Sequence, residues 1–365
     1  MRKTQVLAYY LPQFHEIDEN NAWWGKGFTE WVNVKKGKPL YQGHYQPKVP
    51  LNKKYYNLLD IRTLREQTEL AQKYGVDGFC YYHYWFSGKL LLEKPAQLLL
   101  ENKDINISFC FSWANETWSR RWNGADKDIL IQQSYGGESE WDAHLDYLIP
   151  YFKDERYIKI DNKPVLLLYR AFEIPECDRM IEVWNHKLKQ EGFSGIYIIE
   201  TLNTVQTKWI LKQSEACVEF EPMYTLYKNR KYRIIHRTYR YFVGKFRLYN
   251  IFEFTRRFVD YDRIWRKILA RKQTGGKKVF LGAFPNWDNT ARRGNSAVVF
   301  RGSSPEKFKC YFTEQYRKSV ALENEFIFIN AWNEWGEGAY LEPDEKYLFQ
   351  YLEAVRYARE QVQGV

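Results

Sequence analysis

Two glutamates, Glu334 and Glu337, stand three residues apart in the run Asn330-Ala331-Trp332-Asn333-Glu334-Trp335-Gly336-Glu337-Gly338. Making or breaking a glycosidic bond takes one carboxylic acid to protonate the leaving oxygen and a second carboxylate as base or nucleophile. Indoles at Trp332 and Trp335 would strip water from these carboxyls and raise their pKa, as an acid working near neutral pH requires. On a helix an E-x-x-E pair is usually a solvated face; in a glycine-punctuated turn between tryptophans it points to chemistry. Further aromatic and polar residues gather in similar short blocks: Tyr10 and Gln13; Tyr82, His83 and Trp85; Trp113, Asn115 and Glu116; Tyr169; Glu200; Glu221; Trp287 and Asp288; and Asn333. Aromatic faces stack on the C–H faces of sugars, and carboxylates and carboxamides serve sugar hydroxyls, so a cleft lined by both suits a carbohydrate. Singly, each has a plainer reading. Glu116 could pair with Arg120 or Arg121, and His83 could be a core histidine.

Each block ends a short apolar run of strand character. The runs are Thr4–Pro12, Val76–Tyr84, Ile105–Trp113, Pro164–Tyr169, Gly195–Glu200, Ala216–Pro222, Lys278–Phe284 and Glu325–Ala331. Helical patterns separate most of them, at Asp60–Tyr74, Trp141–Phe152, Asp178–Gln190, Pro305–Leu322 and Lys346–Gln361. Eight β units, each followed by a helix, predict an α/β fold of the (β/α)8 type as one domain over residues 1–365, with the blocks at the C-terminal strand ends where such barrels keep their sites. A doubly wound open sheet is the alternative, but its glycine-rich first turn is missing from Leu11-Pro12-Gln13-Phe14-His15. The first loop, Gln13 to Leu59, is long, and its tryptophans argue against disorder. Glu30 and Trp31 within it are expected to wall the substrate cleft.

The chain has 365 residues, 45% hydrophobic and 27% charged, which excludes a disordered protein. No apolar run approaches the roughly 18 residues of a spanning helix, and Val6–Leu11 is too short for a secretory leader. Five cysteines without paired spacing and six scattered histidines predict neither a disulfide framework nor a metal site. No cofactor is expected, because neither a P-loop nor a dinucleotide fingerprint is present. The default compartment is the cytoplasm.

The net charge of +10 is localised. Residues 224–278 hold seventeen Lys and Arg against Glu253, Asp260 and Asp262, a net +14 that leaves −4 for the remainder. This stretch reads as a basic helical insertion between strands six and seven. Its expected partner is an anionic membrane surface, which would place the protein at the inner face of the membrane. No recognisable nucleic-acid-binding module accompanies the charge, so nucleic acid is not an expected partner.

The chain closely resembles the WbsX-type proteins, which are similar to the family 99 glycoside hydrolases, the endo-α-mannosidases. The resemblance rests on Ala8-Tyr9-Tyr10-Leu11-Pro12-Gln13-Phe14-His15, Trp23-Trp24-Gly25-Lys26-Gly27-Phe28-Thr29-Glu30-Trp31, Gly43-His44-Tyr45-Gln46-Pro47, Gly78–Phe86, Trp113-Ala114-Asn115-Glu116 and the Asn330–Gly338 run. It implies a (β/α)8 barrel, an oligosaccharide or polysaccharide substrate, lipid-linked or free, and a glycosyltransferase role in O-antigen or capsule synthesis. A retaining endo-glycosidase and a non-catalytic carbohydrate-binding barrel are the alternatives. It also implies that Glu334 is the base on a sugar 2-hydroxyl and Glu337 the acid/base at the glycosidic oxygen. Tyr10 falls where the family has an active-site tyrosine, and Gly336 stands where family 99 has a histidine.

Overall fold

The computed structural model describes residues 3–119, 128–228, 257–273 and 276–364. Eight parallel strands form the centre: β1 (Gln5–Tyr10), β2 (Gly78–Phe86), β3 (Ser108–Trp113), β4 (Lys163–Leu168), β5 (Tyr197–Leu202), β6 (Ala216–Glu219), β7 (Lys278–Ala283) and β8 (Phe326–Ile329). Each strand pairs with the next in sequence, and the ring closes because β1 pairs with both β2 and β8. Leu7 lies opposite Gly78 on one side and Phe328 on the other. This is a (β/α)8 barrel. Both faces of its strands are covered, so runs such as Val165–Leu168 are apolar throughout rather than alternating.

The surrounding helices are α1 (Ile61–Lys73), α2 (Lys94–Glu101), α3 (Glu138–Phe152), α4 (Cys177–Gln190), α5 (Tyr261–Leu269), α6 (Pro305–Ala321) and α7 (Gln350–Gln363). Local chemistry fixes several starts. Asp60 accepts from the Arg62 N–H at 3.0 Å before α1, Asp260 from Arg263 at 2.6 Å before α5, and the Ser304 hydroxyl from Lys307 at 3.3 Å before α6. One expected helix is missing: β5 is followed by an irregular loop over residues 203–215, because Glu200 draws that segment's N–H groups to its own carboxylate. Of the basic segment 224–278, residues 229–256, 274 and 275 lie outside the described residues. Its described part includes a strand, Arg257–Asp260, parallel to Val298–Arg301, as well as α5. No described helix is long and apolar enough to cross a membrane.

Strand alternation decides which side chains reach the mouth of the barrel. In β1, Tyr9 points inward against Phe220 and Phe328, while Tyr10 points outward and its hydroxyl donates to Gln67 of α1 at 2.6 Å. In β2, Tyr82 stacks on Tyr9 with ring centres 5.7 Å apart, while His83 and Trp85 face α3.

Candidate active site

Three carboxylates converge on one guanidinium. Arg292, in the short helix Thr290–Arg293 after β7, donates through Nε to Glu30 Oε1 at 2.6 Å, through Nη2 to Glu334 Oε2 at 3.1 Å, and through Nη1 lies 2.9 Å from Glu337 Oε1. Glu30 comes from the helix Glu30–Lys36 of the first loop, and the other two from the turn after β8. Glu30 is fully buried and Glu334 nearly so, while the Glu337 side chain keeps 24% of its surface open. Three acids on one arginine leave surplus negative charge in a dry site. Burial pushes the Glu334 carboxyl up to about 8, with Glu337 and Glu30 adding repulsion against the lowering pull of Arg292. Burial also raises Glu337, against Arg292 and Arg293. The pair therefore favours holding a proton near neutral pH, and Glu337, the more open of the two, is the better placed to pass one on.

Gly336 makes the cluster possible. A Cβ there would collide with the Glu30 carboxylate and lie 2.7 Å from Arg292 Nε. The turn is fixed from the other side by the Asp288 N–H, which donates to the Glu337 carbonyl at 2.6 Å. Around the acids stand tyrosines. Burial and the Glu334 charge raise the hydroxyl pKa of Tyr82 and Tyr84, and burial and the Glu116 charge raise that of Tyr169, with smaller contributions from Glu337 and Glu334. Glu116 pairs with Arg170, which also bonds Glu173 at 2.6 Å. Arg120 and Arg121, the partners considered from sequence, lie outside the described residues.

Of the expected residues, the structure thus gathers Glu30, Glu334 and Glu337 on Arg292, with Tyr82 and Tyr169 beside them. Several others brace the site instead. Gln13 accepts from the Glu30 N–H at 3.0 Å. Trp31 donates to the Tyr56 carbonyl at 2.8 Å and packs on Trp335, 5.5 Å away. Asn333 exchanges two hydrogen bonds with the Leu11 backbone, at 2.7 and 3.0 Å, tying β8 to β1. Asn115 does the same with Arg170 at 2.8 and 3.0 Å.

The rest sit elsewhere. Tyr10 faces α1, for the reason given by its strand parity. His83 meets His144 at 2.9 Å between ring nitrogens, and burial takes its pKa down to about 3, so it is a neutral core histidine. Trp85 stacks on His144 and Trp113 packs edge-on to it, both beneath α3. Trp287 lies in the main core. Glu200 is closed off by Gln206, Ile210, Leu211 and Ser214. Glu221 is held by Thr225 at 2.7 Å and Arg271 at 2.9 Å. Asp288 accepts from Gln46 at 2.7 Å, meets His44 at 2.8 Å, and takes Thr290 on its other oxygen.

Sequence reasoning missed Arg292, Tyr84, Tyr9 and Glu342. Three acidic candidates without a counterion were the signal for Arg292. Tyr84 and Tyr9 follow from period-two alternation. Glu342 is a buried carboxyl that accepts from Trp335 Nε1 at 2.6 Å, Tyr56 at 2.7 Å and Gln67 at 2.6 Å, and burial lifts it to about 7. Among the described residues no group of three or more His, Cys, Asp or Glu is arranged to hold a metal ion.

The glycosyltransferase WbsX family matches residues 6–355. An uncharacterized protein WxcX of Xanthomonas campestris pv. campestris is 35% identical over 356 residues, 97% of this chain and 49% of its own length. The chain thus spans about half the length of the curated relatives it matches. The GH99 endo-α-mannosidase of Bacteroides thetaiotaomicron superposes with a TM-score of 0.56 at 12% identity, covering 100% of this chain and 99% of that one. A glycoside hydrolase-like protein gives 0.60 at 14%, covering 98% and 94%. At these identities the structural likeness speaks to the fold.

Proposed function

The chain belongs to the WbsX glycosyltransferase family, and from that premise we propose that it makes or breaks a glycosidic bond at Glu334 and Glu337, as a glycosyltransferase of surface-polysaccharide assembly. The observation that carries this reading is the buried carboxyl pair on Arg292, with raised pKa values, at the C-terminal end of a barrel. Glu337 protonates the leaving oxygen as its bond to the anomeric carbon breaks. Glu334 acts in its ionised form, which Arg292 favours against burial, and takes the proton from the sugar 2-hydroxyl, whose oxygen attacks the anomeric carbon in the same step. An acceptor hydroxyl, deprotonated by Glu337, then opens the strained ring, and Glu334 returns its proton to the 2-oxygen. Both carboxyls finish as they began. Arg292 restrains charge on the pair throughout. Tyr82, Tyr84 and Tyr169 offer ring faces and hydroxyls to the sugar. The substrate is an oligosaccharide or polysaccharide carried on a lipid, met at the cytoplasmic face of the membrane, with the single barrel domain carrying 224–278 as its basic insertion.

The test incubates labelled oligosaccharides with the protein and reads shortened and extended products by mass spectrometry. Glu334→Gln and Glu337→Gln are each expected to remain folded and lose at least about 100-fold in rate. An activated leaving group is expected to rescue Glu337→Gln and not Glu334→Gln. Turnover by Glu334→Gln at the wild-type rate would remove the assignment. Shortened products alone would favour the endo-glycosidase reading of the same site.

A further inference from the structure

The loop over residues 203–215 replaces a helix, and it turns apolar side chains to water. Val205 is 54% exposed, Trp209 44% and Ile210 50%, with the exposed lysines Lys208 and Lys212 interleaved. A soluble protein normally folds such side chains inward, and a slack loop could do so. This loop cannot. The fully buried Glu200 carboxylate accepts from Gln206 Nε2 at 2.6 Å, the Ile210 N–H at 2.9 Å, the Leu211 N–H at 3.1 Å and the Ser214 hydroxyl at 2.6 Å. Lys277 adds a hydrogen bond to the Ser214 carbonyl at 2.7 Å and sits 4.9 Å from the centre of the Trp209 ring. The backbone behind Trp209 and Ile210 is therefore pinned, and the two side chains are held outward.

The loop runs from the C-terminal end of β5 back to the start of β6, where Ala216 lies opposite Lys278, and its Trp209 ring meets Gly276 and Lys277 just before β7, so Trp209 and Ile210 stand on the flank of the barrel. We propose that loop 203–215 is a membrane-contact site that seats this flank of the barrel on an anionic lipid surface. An indole and two aliphatic side chains between lysines are the composition of an interfacial anchor: the apolar groups enter the headgroup region and the ammonium groups meet lipid phosphates. A glycan platform would carry carboxylates or carboxamides to bond hydroxyls. Here the exposed neighbours are Lys208 and Lys212, and Val205 and Ile210 offer no flat face. The use of this contact, to hold the barrel at a membrane that carries its lipid-linked sugar, rests on the function proposed above; the contact itself does not.

The experiment is sedimentation of the full chain with phosphatidylglycerol-containing or pure phosphatidylcholine vesicles at low and high salt. The wild type is expected to bind the anionic vesicles at low salt. The double substitution Trp209→Ser with Ile210→Ser is expected to weaken that binding at least about tenfold. Lys208→Glu with Lys212→Glu is expected to abolish the preference for anionic lipid. Both variants leave the carboxyl cluster untouched and are expected to keep the wild-type melting temperature and activity on soluble oligosaccharides. Failure of the wild type to bind either vesicle, or binding of Trp209→Ser/Ile210→Ser at the wild-type level, would overturn the proposal whatever the fate of the catalytic assignment.

Discussion

At the residue scale the site turns on one arginine and one glycine. Arg292 pulls the Glu334 carboxyl down against burial and the neighbouring acids. Removing that charge therefore raises the Glu334 pKa further. In Arg292→Met, the limb of kcat/KM that needs ionised Glu334 is expected to move to higher pH, by roughly one unit or more. A pH–rate profile checks it, and an unmoved limb would assign Arg292 a purely structural part. Gly336 is constrained by space rather than by backbone angle. In Gly336→Ala the added methyl must displace the Glu30 carboxylate or Arg292, with an expected loss of about 1–3 kcal/mol in chemical denaturation and a fall in activity together. Stability lost with full activity would mean that the cluster re-forms around the methyl. Tyr10 shows the limit of reading at this scale. The sequence offers Tyr9-Tyr10 as neighbours, and only strand parity sends Tyr9 inward and Tyr10 to α1.

At the scale of elements, all eight strands were legible, because each is a compact apolar run between helices or turns. What was not legible is which face of a strand meets the cleft. In a closed parallel barrel both faces are buried, so the sequence carries no polar side to orient it. That is why His83, Trp85 and Trp113 read as cleft residues and lie beneath α3. Glu200, Glu221 and Asp288 misled for a related reason: each is an acid at a strand end, but Glu200 is closed off by the loop that follows it, Glu221 by Thr225 and Arg271, and Asp288 by the first loop. Asp288 is the informative case. It clamps the first loop to β7 through His44, Gln46 and, at 3.9 Å, the buried Lys48. Burial opposes its ionisation, but the His44 hydrogen bond and the Lys48 charge outweigh that and take it down to about 2. Its ordinary value is 3.8, so the stabilisation is present above pH 3.8 and is lost as pH falls through 2. Asp288→Asn is expected to lose about 3 kcal/mol at neutral pH, since it strands a buried lysine, and to lack this part of the acid transition. Urea titrations at pH 6 and pH 3 measure both.

At the scale of the whole molecule, the barrel contains buried acids of two kinds. Glu342 is held by three donors from α1, the first loop and the last turn, and it locks those elements together. Glu334 has like charges for neighbours and one shared cation. Both carry raised pKa values, so folding takes up protons: each contributes stability that is full below about pH 4.5 and is lost as pH rises, through about 7 for Glu342 and about 8 for Glu334. Neutral amides should nevertheless separate them. In Glu334→Gln the amide oxygen still accepts from Arg292 and no charge has to be buried. Its melting temperature is expected to match the wild type at pH 4.5 and to exceed it at pH 8.5, by an amount corresponding to a few kcal/mol, while activity is lost. In Glu342→Gln one acceptor oxygen replaces two, against three donors, and the new amide donor faces them. Its melting temperature is expected to fall at both pH values, by about 1–3 kcal/mol in stability. A residue whose removal stabilises the fold and abolishes turnover is held in place for chemistry, not for the barrel. Thermal melts of the two variants at the two pH values therefore test the division of labour without knowledge of the substrate, and a destabilised Glu334→Gln at pH 8.5 would count Glu334 among the structural acids.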